Sequence, residues 1–216
     1  MKLEFKERRI CLVTNYRTGS SFLSSLISDT NKVEGLGEYF GPCSYVKEFP
    51  FSLAFRNFNT MKQFNLKFMA NHLDYDMDRI SQVLNKCDRI IYLYRRDFEA
   101  QALSWVASQR TMSWAQTGLK EFYQHEQDKV IIRPPLPEDF VQHNIDILKN
   151  NYITMAKIYQ KYPGTVYCLE DFEIKRPYQR KIIWECDKPI IEDFDVEKTL
   201  NFSSEKTSEQ DICIPS

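Results

Sequence analysis

RICLVTNYRTGSSF, residues 9–22, decides the reading of this chain. Residues 9–14 are a short apolar run rich in strand-forming side chains, which predicts a buried strand. Residues 15–19 form a turn, and Gly19 lets that turn be tight. From Ser20 to about Asp29 the spacing becomes helical, and Phe22, Leu23, Leu26 and Ile27 make the expected apolar face. A strand that passes directly into a helix is the opening of an alternating β/α chain.

The rest of the sequence repeats that alternation. Residues 66–69 are a second strand candidate, and Tyr75 to Asn85 is a helix candidate. Residues 88–94, DRIIYLY, are the clearest strand by β-branched and aromatic content. Asp97, a good N-cap, opens a helix that reaches about Arg110. A break falls at residues 133–137, RPPLP. Beyond it Val141, Ile145, Leu148, Tyr152, Met155, Ala156 and Tyr159 repeat near 3.6 residues. Pro163 and Gly164 end that helix, and residues 165–169 are the last clear strand. Gly35, Gly37, Gly41 and Pro42 mark a loop. The tail from about residue 203 is polar. Short, strongly apolar strands imply that both sheet faces are covered. The expectation is a single α/β domain over residues 1–216: three layers, with a mainly parallel, P-loop-like sheet flanked by helices.

Composition narrows the functions. The chain has 216 residues, 43% hydrophobic and 27% charged, which suits an ordered globular protein. Net charge is −1, from 29 Lys+Arg against 30 Asp+Glu, so the basic excess of a nucleic-acid binder is missing and no nucleic-acid partner is expected. No apolar run approaches the ~20 residues of a membrane span. The start, MKLEFKERR, lacks the apolar core of a secretory signal, which predicts a cytoplasmic protein. Six widely spaced cysteines then read as reduced thiols, several of them buried. His72, His125 and His143 show no ligand spacing with each other or with cysteine pairs, so no metal is expected.

In parallel sheets ligands bind beyond the carboxyl ends of the strands. Two groups of residues fall there. The first is NYRTGSSF, residues 15–22. Backbone N–H groups at a helix start favour an anion, Ser20 and Ser21 add hydroxyls, and Arg17 adds charge. It is not a Walker A loop, because the first glycine and the lysine of GxxxxGK[ST] are absent. The plain alternative is an ordinary connection with a capping serine. The second group is Arg95 and Arg96, with Ser104 eight residues after Arg96, about two helical turns on. Paired arginines fork onto phosphate; the plain alternative is surface arginines paired with Asp97 or Glu99.

Together these groups resemble the sulfotransferase family. RTGSSF resembles its 5′-phosphosulfate loop, and RRDFEAQALS its 3′-phosphate motif. Three more segments are similar to the bacterial trehalose sulfotransferase branch: GEYF at 37–40, LKFMAN at 66–71 and QALSW at 101–105. YCLEDF at 167–172 is similar to the Y-E-D-L after a late strand. The resemblance runs in order from about residue 9 to 110. It implies 3′-phosphoadenosine 5′-phosphosulfate (PAPS) as cofactor. Arg17, Thr18, Gly19, Ser20, Ser21 and Phe22 would hold its 5′ end, and Arg95 or Arg96 with Ser104 its 3′-phosphate. Glu38 or His72 would be the base, and Lys67 would reach the sulfonate; the plain alternatives are an exposed loop acid, a helix-capping or core histidine and a snorkelling strand-end lysine. Glu38 takes precedence from motif position. The implied acceptor is a hydroxyl, on a small molecule, a carbohydrate or a glycolipid. Tyr39, Phe40, Trp105 and Trp114 are open between stacking on that acceptor and packing in the core. Lys198 and Lys206 are the candidates for a C-terminal phosphate contact.

Rival readings stay in view. Cys11 to Thr18 has the C-x5-R-[ST] spacing of cysteine phosphatases, but Cys11 falls inside an apolar strand. A non-catalytic module that binds 3′-phosphoadenosine 5′-phosphate (PAP), and a P-loop-like kinase, are the other two.

Overall fold

The computed structural model describes residues 3–41, 50–111, 131–133, 137–172, 182–184 and 191–202. The expectations for Pro42, Trp114, His125, Lys206, Cys43, Cys186, Cys213, the break within 134–136 and the polar tail lie outside the described residues. The strands are β1 Arg9–Thr14, β2 Gly35–Gly37, β3 Phe64–Phe68, β4 Arg89–Tyr94, β5 Ile131–Arg133, β6 Thr165–Cys168 and β7 Ile182–Trp184. The helices are α1 Ser20–Asn31, α2 Phe51–Phe58, α3 Met77–Leu84, α4 Phe98–Thr111, α5 Glu138–Lys161 and α6 Val196–Leu200. One all-parallel sheet runs in the order β2-β3-β1-β4-β6, and β5 pairs with β7 in a separate parallel pair.

Strand alternation sorts the core into two layers. Cys11 and Val13 point to one face, where Phe58, Val83, Trp105 and Leu148 from α2 to α5 cover them. Ile10 and Leu12 point to the other, against Leu23 and Ile27 of α1. Both faces are therefore buried, which is why β1 reads as an uninterrupted apolar run. The same period of two governs β3. Phe64, Leu66 and Phe68 join the larger cluster, while Asn65 and Lys67 face α1. Asn65 Nδ2 donates to the Ser24 carbonyl at 2.7 Å.

Three expectations change. Phe22 is 49% exposed and does not belong to the apolar face of α1; Leu23 and Ile27 carry it. Helix α3 begins at Met77, not Tyr75, because Asp74 and Tyr75 have positive φ (54° and 59°). Asp76 then caps it by accepting from the N–H groups of Asp78 and Arg79. Gly35 and Gly37 belong to edge strand β2 rather than a loop, paired with β3 across a register shift. Three residues are too few to show a period.

The order of strands places the ligand crevice. From β1 the chain leaves toward β2 on one side, and from β4 it leaves toward β6 on the other. Neighbouring strands whose connections diverge leave an opening beyond their carboxyl ends. Residues 15–19 follow β1 there, and residues 95–97 follow β4.

Candidate active site

The turn after β1 is built from left-handed backbone. Arg17 has φ 60° and Gly19 φ 77°. A Cβ on Gly19 would also lie 2.6 Å from Leu169 Cδ1. Gly19 is the N-cap residue of α1, and no side chain caps that end. The first turn of α1 carries no acid either. The capping-serine alternative therefore does not describe this turn: the 12-residue helix presents an uncompensated positive end.

Side chains around this turn divide into scaffold and site. Thr18 is scaffold: its hydroxyl lies 2.6 Å from Thr14 Oγ1 and 2.9 Å from the Asn15 carbonyl, fully buried. Only the backbone of Thr18 is left to meet a ligand. Ser20 is also buried. Arg17 Nε donates to Ser104 Oγ at 2.9 Å, so the serine of α4 meets the arginine of the β1 turn. Lys67, reaching from β3 past α1, donates to Ser21 Oγ at 3.2 Å and pairs with Glu38 Oε1 at 2.7 Å. Glu38 Oε2 is 3.5 Å from His72 Nε2. One chain of contacts thus joins Ser21, Lys67, Glu38 and His72, drawn from α1, β3, the segment after β2 and the turn after β3.

The two candidate bases are not equivalent. The His72 side chain has no exposed surface, whereas that of Glu38 is 29% exposed. Burial lowers the imidazole to about 4; Glu38 opposes the shift and Lys67 adds to it. The ring is neutral at neutral pH.

The arginines after β4 are separated by the structure. Arg96 is half exposed, donates to Glu197 Oε1 of α6 at 3.1 Å and pairs with Asp171 at 3.4 Å. Arg95 is mostly buried, with Nε 3.6 Å from Glu170. Glu170 also accepts from the N–H groups of Arg96 and Asp97, at 2.9 and 3.2 Å. Asp97 caps α4 by accepting from Ala100 N–H at 2.9 Å. Lys198 is exposed on α6, one residue from Glu197.

Tyr39 and Phe40 are 4% and 9% exposed and Trp105 is 3%; all three are core. Trp105 stacks on Tyr16 at 3.8 Å. Tyr16 in turn is fixed by Gln101, which donates to its carbonyl at 2.6 Å. Asn151 was not anticipated from the sequence; it lies buried under the site with Asn15 of the turn and Tyr152 of the helical repeat. A polar residue on the inner face of a strong helical period is the signal that marks Asn151 and Asn144.

Cys11 is a buried thiol within β1, and burial pushes it well above its ordinary range. A thiol so placed is no nucleophile, which removes the phosphatase reading. Cys87 and Cys168 are also free thiols. Among the described residues no group of three His, Cys, Asp or Glu stands close enough to hold a metal, and no helix is long and apolar enough to cross a membrane. A scan against models of known protein families finds no match to this chain, and a search of curated proteins finds none either.

Proposed function

We propose that this chain is a sulfotransferase that moves a sulfonate group from PAPS to the hydroxyl of a small-molecule or carbohydrate acceptor. One observation carries the reading. The uncapped start of α1 lies beside Arg17 and Lys67, and Lys67 bridges directly to a partly exposed carboxylate, Glu38. An anion seat next to a base is what sulfonate transfer to a hydroxyl requires.

PAPS supplies the sulfonate and leaves as PAP. The chain supplies everything else. Backbone N–H groups at the start of α1 receive the 5′ end, and Arg17 balances the charge that develops on the departing phosphate. The exposed ring of Phe22 offers a flat apolar face beside this seat. Lys67 neutralises the sulfonate and holds Glu38 in place. Glu38 takes the proton of the acceptor hydroxyl as that oxygen bonds to sulfur. The partly exposed position of its carboxylate supports Glu38 in this role over the enclosed His72 ring. Arg95 and Arg96 stand at the end of β4 for the 3′-phosphate, with Ser104 reached through Arg17.

Thermal unfolding with PAP, ADP and ATP tests the reading. At 100 times its dissociation constant a ligand adds about 2.7 kcal/mol. A melting shift with PAP and little with ADP is expected. A shift with ATP alone supports a kinase; no shift with any of them ends the assignment. Glu38→Gln is expected to keep the PAP shift and lose release of PAP from PAPS in acceptor screens. A wild-type chain that binds PAP yet never turns over is a binding module instead.

A further inference from the structure

A single carboxamide joins the two turns that carry the site. Asn151 lies midway along α5 and is 1% exposed. Its Nδ2 donates to Asn15 Oδ1 at 3.0 Å, and its Oδ1 accepts from the Asn71 backbone N–H at 3.1 Å. The orientation of each group is forced. Asn15 Nδ2 donates to the Leu148 carbonyl at 2.9 Å, and Asn15 Oδ1 also accepts from Tyr16 N–H at 2.9 Å. Asn151 must therefore present its NH2 to Asn15, which leaves its oxygen for Asn71. No apolar side chain, and no carboxylate, provides that donor and acceptor together.

The two ends of this bridge matter for different reasons. Asn15 opens the turn that contains Arg17 and leads into Ser21. Asn71 precedes His72, whose ring faces Glu38, lies near Lys67 and packs edge-on to Tyr16 and Phe68. A parallel strut, Asn71 Nδ2 to Tyr16 Oη at 2.8 Å, depends on the Asn71 backbone that Asn151 holds.

We propose that Asn151 is a positioning residue: its carboxamide sets the separation between the anion-binding turn, residues 15–21, and the acceptor-side turn, residues 69–73. The identity of the ligand rests on the sulfotransferase reading; the bridge itself does not.

The test compares Asn151→Leu and Asn151→Ser with Asn144→Ala in the full chain. Asn144 is a matched control: same helix, 1% exposed, but bonded to the Phe140 carbonyl of its own helix at 2.6 Å. Three quantities are read: melting temperature, PAP affinity by calorimetry, and the titration of the His72 ring by NMR. Asn151→Leu is expected to weaken PAP binding about tenfold or more, the scale of a misplaced binding turn. It is also expected to move the His72 titration from about 4 toward 6.5 as the turn opens to water. Asn144→Ala is expected to lower the melting temperature and do neither. Asn151→Ser, which leaves room for a water, gives the same pattern in weaker form if the leucine variant does not fold. Asn151 variants that lose stability but keep wild-type PAP affinity and His72 titration overturn the proposal and make Asn151 a core residue. If the wild type itself does not bind PAP, the sulfotransferase reading fails, and the His72 titration alone decides the bridge.

Discussion

Arg17 holds a backbone conformation that side chains disfavour, at φ 60°. Glycine would adopt it at lower cost, by roughly 1 kcal/mol, partly offset by glycine's extra freedom when unfolded. An arginine in that conformation stores backbone strain at the turn after β1. Arg17→Gly is therefore expected to fold within about 1 kcal/mol of the wild type, yet lose the PAP-dependent melting shift. Urea titration with and without PAP checks both halves. His72 makes a second prediction, on pH. Its folded titration is lowered to about 4 from 6.5. Above pH 6.5 the ring is neutral in both states, and its contribution is complete. As pH falls from 6.5 toward 4, the unfolded chain takes up a proton that the folded chain does not, and stability is lost. Below about 4 the loss levels off. The total is of the order of 3 kcal/mol. His72→Gln is expected to flatten this part of the profile in denaturant titrations at pH 7 and pH 4.5. An unchanged slope would show that other groups produce it. The residues of this site were legible unevenly. Arg17, Gly19 and Lys67 announce themselves by chemistry that a strand end rarely needs. Which of Glu38 and His72 faces solvent is a matter of tertiary packing, and no local pattern encodes it.

Elements show the same division. β1, β4 and α5 are long or strongly periodic, and their sequences name them to within a few residues. Helix α2 was not anticipated from the sequence, although Phe51, Ala54, Phe55 and Phe58 are helically spaced over its two turns. β2 has three residues and α6 five, too short for any period, and both exist because neighbours complete them. α6 buries Val196 and Leu200 and lays Glu197 on both Arg96 and Tyr94 Oη. The junction before β6 carries a prediction of its own. A Cβ on Gly164 would stand 2.3 Å from the Ile90 carbonyl oxygen of β4. That neighbour is backbone and cannot step aside without shifting the β4–β6 pair. Gly164→Ala is expected to destabilise by about 1–3 kcal/mol, as overpacking does. Equilibrium unfolding measures it, and a neutral result would mean that β6 moves freely against β4.

For the whole molecule, the direction of the strands matters most. All five strands of the main sheet point the same way. Arg17, Glu38, Lys67, Arg95 and Arg96 therefore gather at one rim. At the opposite rim Arg9 holds Asp88, with Nε to Oδ2 at 3.0 Å, and Arg89 holds Glu7 at 3.3 Å. The Arg9 guanidinium, through its hydrogen bonds, keeps the Asp88 carboxyl below its usual range. Both partners are more than a third exposed, so solvent weakens the pair. Asp88→Ala is expected to lower stability by under about 1 kcal/mol and leave PAP affinity unchanged in calorimetry; a loss of affinity would tie the far rim to the site. Fold class was readable because alternating elements and doubly covered strands admit few arrangements. The strand order was not, since it depends on contacts between segments distant in the chain.

A parallel sheet thus gives the molecule an axis. Damage near the amino end of any strand should register in a melting curve, and damage near the carboxyl end in a binding isotherm, whichever strand is hit. A saturating mutational library scored in both assays would then resolve into two populations along the strand direction. Height along that direction, rather than position in the sequence, would sort the variants.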